Sequence, residues 1–112
     1  MKYLIASEGM TFEDKVSPNF LEAPYYLFYD DWLGRFEVIS NTRDTDSSYV
    51  LKKAAESGAQ TLICGNIDPG SFVAAGLSKM KVGVAPLISV RRAVELASKR
   101  QLVIATAPTI RD

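Results

Sequence analysis

Apolar and polar positions divide the chain into two halves with different grammar. Lys2 to Ser7 is an apolar run that ends at the polar Ser7-Glu8-Gly9 and reads as a first strand. Glu8 to Pro24 is polar and interrupted by Gly9, Pro18 and Pro24. It reads as a long loop, and loops of this length in compact domains usually serve a purpose. Tyr25 to Asp30 is aromatic-rich and reads as a strand, followed by an Asp31-Trp32-Leu33-Gly34 turn. Arg35 to Ser40 alternates, with Phe36, Val38 and Ser40 on one side and Arg35, Glu37 and Ile39 on the other. The two runs form an antiparallel hairpin.

The second half alternates helix and strand. A polar loop runs from Asn41 to Ser47, with Ser47 or Ser48 as helix N-cap. Tyr49 to Ser57 then carries Val50, Leu51, Ala54 and Ala55 at helical spacing, and Gly58 stops it. Thr61-Leu62-Ile63-Cys64 is apolar on both faces, as in a central parallel strand. After the Gly65–Gly70 turn, Asp68 caps a second helix whose first turn holds Pro69 and which stops near Gly76. Lys81 to Ala85 is a strand, and Ser89 caps a third helix from Val90 to about Arg100. Leu102 to Ala105 reads as either a short strand or an extended tail. The order β-ββ-α-β-α-β-α predicts one domain over residues 1–112. It is a three-layer α/β fold whose mixed sheet of about five strands carries helices on both faces.

Composition then narrows the chemistry. The 112 residues are 47% hydrophobic and 23% charged, which are globular values and exclude a disordered or collagen-like chain. Lys plus Arg is 13 and Asp plus Glu is 13, so no basic nucleic-acid footprint exists at the level of the whole chain. His is absent, which removes an imidazole base, a Ser-His or Cys-His dyad and an imidazole metal ligand. The single Cys64 excludes an internal disulfide and any Cys-cluster motif within one chain. No run approaches the ~20 apolar residues needed to span a bilayer, and Glu8 cuts short any signal-peptide core. A cytoplasmic protein without membrane attachment is expected.

Three segments carry a family resemblance. They are Tyr3-Leu4-Ile5-Ala6-Ser7, the stretch from Val16 to Asp30, and Gly58 to Phe72 with its strand followed by Gly65-Asn66-Ile67, completed by the Val82-Gly83-Val84 strand. The chain resembles the dinitrogenase iron-molybdenum cofactor biosynthesis family, the NifX/NafY-like domain, over nearly its whole length. The resemblance implies a ribonuclease-H-like fold with a mixed five-stranded sheet. It also implies a non-catalytic carrier of an iron-sulfur or iron-molybdenum cofactor precursor. Where the family commonly reads Ser-x-His-Phe-Gly, this chain reads Ser17-Pro18-Asn19-Phe20-Leu21, with Asn19 at the His position and Leu21 at the Gly position. Cluster binding in cofactor-carrying members leans on His or Cys, and here only Cys64 remains.

The candidate cofactor-binding residues are Ser7, Asn19, Phe20, Cys64, Gly65 and Asn66, with Cys64 the one candidate metal ligand. The carboxyl ends of parallel strands are where α/β sheets bind ligands. Cys64 is either one thiolate anchor for a cluster that usually wants several, or a small buried hydrophobe at a strand end. Gly65 and Asn66 are either ligand contacts or part of a simple turn. Phe20 either closes over a ligand or pins the loop to the core, while Asn19 offers a hydrogen bond. Ser7 and Glu8 close the first strand toward the same crevice. Arg91, Arg92, Lys99 and Arg100 read as a solvated face on which Arg91 pairs with Glu95. A two-metal nuclease needs converging carboxylates, one of them in the first strand, and Tyr3 to Ser7 has none; Asp30-Asp31 reads as an exposed turn.

Two functions of different class remain. One is the carrier domain, whose partner is a metal-cluster ligand. The other is an assembly module on the same scaffold that has lost its ligand and meets a protein partner, or a second copy as a homodimer, through Trp32, Phe36 and Ile39 on the hairpin edge.

Overall fold

A computed structural model of the chain describes residues 1–41, 47–85 and 87–110. The elements are β1 (Lys2–Ser7), β2 (Tyr25–Asp30), β3 (Arg35–Ser40), α1 (Ser47–Glu56), β4 (Thr61–Cys64), α2 (Pro69–Leu77), β5 (Lys81–Val84), α3 (Val90–Ser98) and β6 (Val103–Ile104). They build one mixed sheet in the order β3-β2-β1-β4-β5-β6. Parallel pairing joins β1 to β4 and β4 to β5, and the other neighbours run antiparallel.

The sheet has six strands, where five were expected. The sixth comes from the segment that the sequence left open between strand and tail, and pairs Gly83 with Ile104 and Val84 with Val103. Both of its residues are exposed, so no alternation marks it.

Period-two alternation along β1 sends its side chains to two separate cores. Leu4 and Ala6 join Leu62, Cys64 and Val82 beneath Val50, Leu51 and Ala54 of α1 and Ala75 of α2. Tyr3 and Ile5 join Leu27 and Ile63 beneath Val90 and Ala93 of α3. Tyr3 through Ala6 are fully buried, as a strand covered on both faces must be. The helices therefore lie on both faces, two on one and one on the other, which gives the three layers.

Helix boundaries differ from expectation where the caps differ. α1 already contains Ser47 and Ser48, so neither is the flanking cap, and the expected loop residues 42–46 lie outside those described. Asp68 caps α2 by accepting the Ser71 N–H at 3.0 Å, and Pro69 fills the first turn. α2 stops near Gly76 as expected, ending at Leu77 with Ser78 as its C-cap. Ser89 caps α3 through the Arg92 N–H at 3.1 Å, and the helix ends at Ser98, about two residues before the expected Arg100.

Two polar expectations are corrected. Asp30 is buried, not exposed: its Oδ1 accepts the N–H groups of Trp32 at 3.0 Å and Leu33 at 3.3 Å and shapes the hairpin turn. Arg91 does not pair with Glu95. It reaches across to Glu13 on the long loop, while Glu95 takes Arg92 and Lys99 and is held below its ordinary pKa by the Lys99 hydrogen bond and the two cations. Among the described residues no helix is long and apolar enough to cross a membrane.

Candidate binding site at the carboxyl end of the sheet

The long loop between β1 and β2 crosses the carboxyl ends of the central strands as a bonded strap. Ser7 bridges to Val16 and Lys15 bridges to Ser89. The Glu8 N–H donates to the Lys15 carbonyl at 2.9 Å and the Ser17 N–H to the Ala6 carbonyl at 2.8 Å, which continues β1 beyond its end. On the strap's other edge, the Val16 N–H donates to the Ile88 carbonyl at 2.9 Å and the Val90 N–H to the Asp14 carbonyl at 2.8 Å. This backbone pairing had no sequence signature, because the strap's Asp14-Lys15-Val16-Ser17 does not alternate.

The strap then meets the end of β4. The Gly65 N–H donates to the Ser17 carbonyl at 2.8 Å, and the Phe20 N–H to the Asn66 carbonyl at 3.0 Å. The Asn66 side-chain Nδ2 donates to the Pro18 carbonyl at 3.0 Å. Gly65 is required by this approach, since a Cβ there would lie 2.7 Å from Pro18 Cα and 2.8 Å from the Ser17 carbonyl oxygen.

Four of the six candidate residues are sealed in. Ser7 is buried, with its Oγ donating to the Gly9 carbonyl at 2.7 Å and accepting the Gly9 N–H. Phe20 is fully buried, its ring 5.2 Å from that of Tyr26, and its carbonyl accepts the Tyr26 hydroxyl at 2.8 Å. It pins the strap to the core. Gly65 lies under Pro18. Cys64 stands at the carboxyl end of β4 but faces the core with Leu4, Ala6, Ile67 and Ala75. Asn19 and Asn66 are half-buried and lie to either side of the Pro18 carbonyl at the end of β4, the carboxyl-end mouth. Asn19 Nδ2 donates to Glu22 Oε2 at 3.3 Å.

Sequence reasoning missed Asn41. Its Nδ2 donates to the Leu21 carbonyl at 3.1 Å and the Ala23 carbonyl at 2.7 Å, tying the strap's exit to the end of β3. The available signal was an amide residue immediately after a strand, where side-chain-to-backbone bonding is favoured.

Charge under the mouth is negative. Asp68 spends Oδ2 on its helix cap, and its Oδ1 is buried without a hydrogen-bond partner among the described residues. Burial first, and the Asp68 charge second, push the Cys64 thiol from 9.0 up to about 12 and the Tyr26 hydroxyl from 10.0 up to about 12. Both groups bind their protons more tightly folded than unfolded. The stability they contribute is complete below about pH 9 and is lost as pH climbs toward about pH 12. The urea midpoint should therefore fall steadily above about pH 9, and Cys64→Ala should flatten the first part of that fall. Equal midpoints at about pH 8 and about pH 10.5 would contradict this assignment.

These features test how a metal cluster could sit here. A Cys64–metal bond requires the thiol to lose its proton beside Asp68 and the core that buries it to open. Among the described residues no group of three or more His, Cys, Asp or Glu side chains is placed to hold a metal ion. That donor set does not supply the several ligands a cluster usually takes.

The family model for the dinitrogenase iron-molybdenum cofactor matches residues 1–100. The chain belongs to this family. Solved structures similar to it include the apo form of the orange protein from Desulfovibrio gigas, 24% identical, covering 97% of this chain and 96% of that one with a TM-score of 0.84. A candidate NifB protein from Thermotoga is 25% identical, covers 99% and 98%, and has a TM-score of 0.83. A candidate dinitrogenase from Methanocaldococcus jannaschii is 22% identical, covers 96% and 97%, and has a TM-score of 0.72. No match was found among the curated proteins. Within this dinitrogenase-cofactor family member, the strap, the Gly65 contact and the Asn19–Asn66 mouth occupy the end of the sheet where α/β folds receive ligands.

Proposed function

We propose that the chain is a non-catalytic binding or carrier domain for an iron-sulfur or iron-molybdenum cofactor precursor, held at the carboxyl-end mouth without a Cys64–metal bond. The observation that carries this reading is the pair of half-buried amides, Asn19 held by Glu22 and Asn66 by the Pro18 carbonyl, at the end of β4 where the Cys64 thiol is buried. Each amide nitrogen has a second N–H beyond the bond that fixes it. Such donors suit the sulfur atoms of a cluster, which accept hydrogen bonds from the protein. The half-buried Asp68 beside Cys64 favours a cargo at the surface over one driven down against the thiol. The central β1, with an antiparallel β2 and a parallel β4, supports a ribonuclease-H-like scaffold, and the absence of a carboxylate from β1 argues against nuclease chemistry on it. A reducing cytoplasm, where a free thiol persists, is the compartment that suits this role.

The test is anaerobic incubation with the cofactor precursor, desalting, and measurement of bound iron, molybdenum and visible absorption. Wild type and Cys64→Ala are expected to load alike, and Asn19→Ala with Asn66→Ala to lose most of the bound metal. No retained metal in the wild type removes the carrier reading. Loss in Cys64→Ala alone, with its fold intact, makes the thiol a ligand and overturns the surface-held mode.

A second reading rests on the hairpin. Trp32 is 88% exposed and Leu33 60%, and Phe36 and Val38 are exposed beside them on an edge strand. We infer that this edge receives an assembly partner or a second copy of the chain. Sedimentation over a range of concentrations should show association that Trp32→Ser with Phe36→Ser abolishes; a concentration-independent monomer removes the homodimer.

A further inference from the structure

At the amino end of the sheet, opposite the Asn19–Asn66 mouth, a groove of about 490 Å³ opens beside the starts of β4 and β5, the end of α3 and β6. Lys79, Lys81 and Arg100 line it together with the apolar Ala97, Leu102 and Ile104. No acidic side chain is among the described residues of its wall.

The three helices end in the same way, which makes the cations stand out. After α1, Gly58 donates to the Ala55 carbonyl and Ala59 to the Ala54 carbonyl. After α2, Lys79 donates to Gly76 and Met80 to Ala75; after α3, Arg100 donates to Ala97 and Gln101 to Leu96. The turning residue is left-handed each time, with φ of 92° at Gly58, 59° at Lys79 and 57° at Arg100. Glycine is the ordinary occupant of this position, and α1 has it. The other two ends carry a cation in a backbone conformation that side chains disfavour.

Helix dipoles favour cations near carboxyl termini, which accounts for some of this. It does not account for Lys81, which opens β5. Nor does it account for the pairing pattern. Arg91 and Arg92 on α3 and Lys99 just past its end are each matched by Glu13 or Glu95, whereas Lys79, Lys81 and Arg100 make no ion pair with a described residue. Three unmatched cations around an apolar wall form an amphipathic receptor, and the groove's size falls within the range of small-molecule sites, about 300–1,000 Å³.

We propose that this groove binds a small organic anion. Its carboxylate, sulfonate or phosphate head sits among Lys79, Lys81 and Arg100, and its apolar or aromatic body lies along Ala97, Leu102 and Ile104. The site is independent of the carboxyl-end mouth.

The probe is 2-naphthalenesulfonate, titrated into the full chain at low salt and followed by amide chemical shifts, with 2-naphthol as its uncharged counterpart. Saturable shifts confined to residues 79–81 and 97–104 are expected. Binding of 2-naphthol should be weaker, and added salt should weaken only the sulfonate. Lys81→Gln, Lys79→Gly and Arg100→Gly should each lower sulfonate affinity by about threefold to fivefold, the weight of one partly screened charge. The two glycine variants relieve a left-handed side chain, so their Tm should hold or rise while affinity falls, a combination that mere loss of structure cannot produce. Shifts at the Asn19–Asn66 mouth or spread over the surface, equal binding of 2-naphthol, or unchanged affinity in all three variants would overturn the proposal.

Discussion

Phe20→Ala should destabilise the protein by about 3–5 kcal/mol, the range for removing a buried aromatic side chain. The ring is fully buried against Tyr26, and it is the strap's large apolar anchor beside β4. A domain of this size has about 5–15 kcal/mol of stability in all, so the loss takes a large share. The urea midpoint should drop with the slope unchanged. The variant should also expose Cys64, because the hydrogen bonds from Gly65 and Asn66 to the strap depend on a strap that stays in place. Alkylation of the native thiol, blocked by burial and a retained proton in the wild type, should become measurable under native conditions. An unfolding free energy within about 1 kcal/mol of wild type would show that the strap is held by its backbone bonds alone.

Gly65→Ala acts on the same contact by crowding. The new Cβ meets Pro18 Cα, the Ser17 carbonyl and the Pro18 carbonyl, all backbone atoms that no rotamer change can move aside. Overpacking of this kind costs about 1–3 kcal/mol. Stretching the 2.8 Å Gly65–Ser17 hydrogen bond adds about 1 kcal/mol. Amide shifts should be concentrated in residues 16–20 and 64–67, and Asn66 should lose its fixed orientation. If the proposed carrier function is right, this variant should load less cofactor than its stability loss alone explains. Wild-type stability and shifts in Gly65→Ala would mean that the strap can stand farther from β4 than it does here.

Much of this molecule was legible from residue pattern because burial enforces periodicity. β1, β4 and the helix stripes follow apolar spacing, and Asp68 and Ser89 announce their helices by cap chemistry. The features that escaped are those held by backbone. Val16 pairs with Ser7 through main-chain groups that every residue has, so neither side chain signals the strap. β6 is too short for alternation to register. Arg91 found Glu13, 78 positions away in sequence, in place of its helical neighbour Glu95, and such pairing is invisible to local spacing. Chain position gathers Asn19, Cys64, Gly65 and Asn66 at one end of the sheet. It could not say which side chains would point outward. Alternation along β4 decides that for Cys64, which shares the inward face with Leu62.

The sheet's two borders are unequal. β3 offers six residues on one border, whereas β6 presents two on the other. Strand addition between copies therefore has a competent partner on one side of each molecule only. Two such sides joined about a twofold axis consume each other and leave nothing on which a third copy can build. The second copy proposed for this edge would therefore make a closed pair, and growth into a filament by edge pairing would find no second template among the described strands.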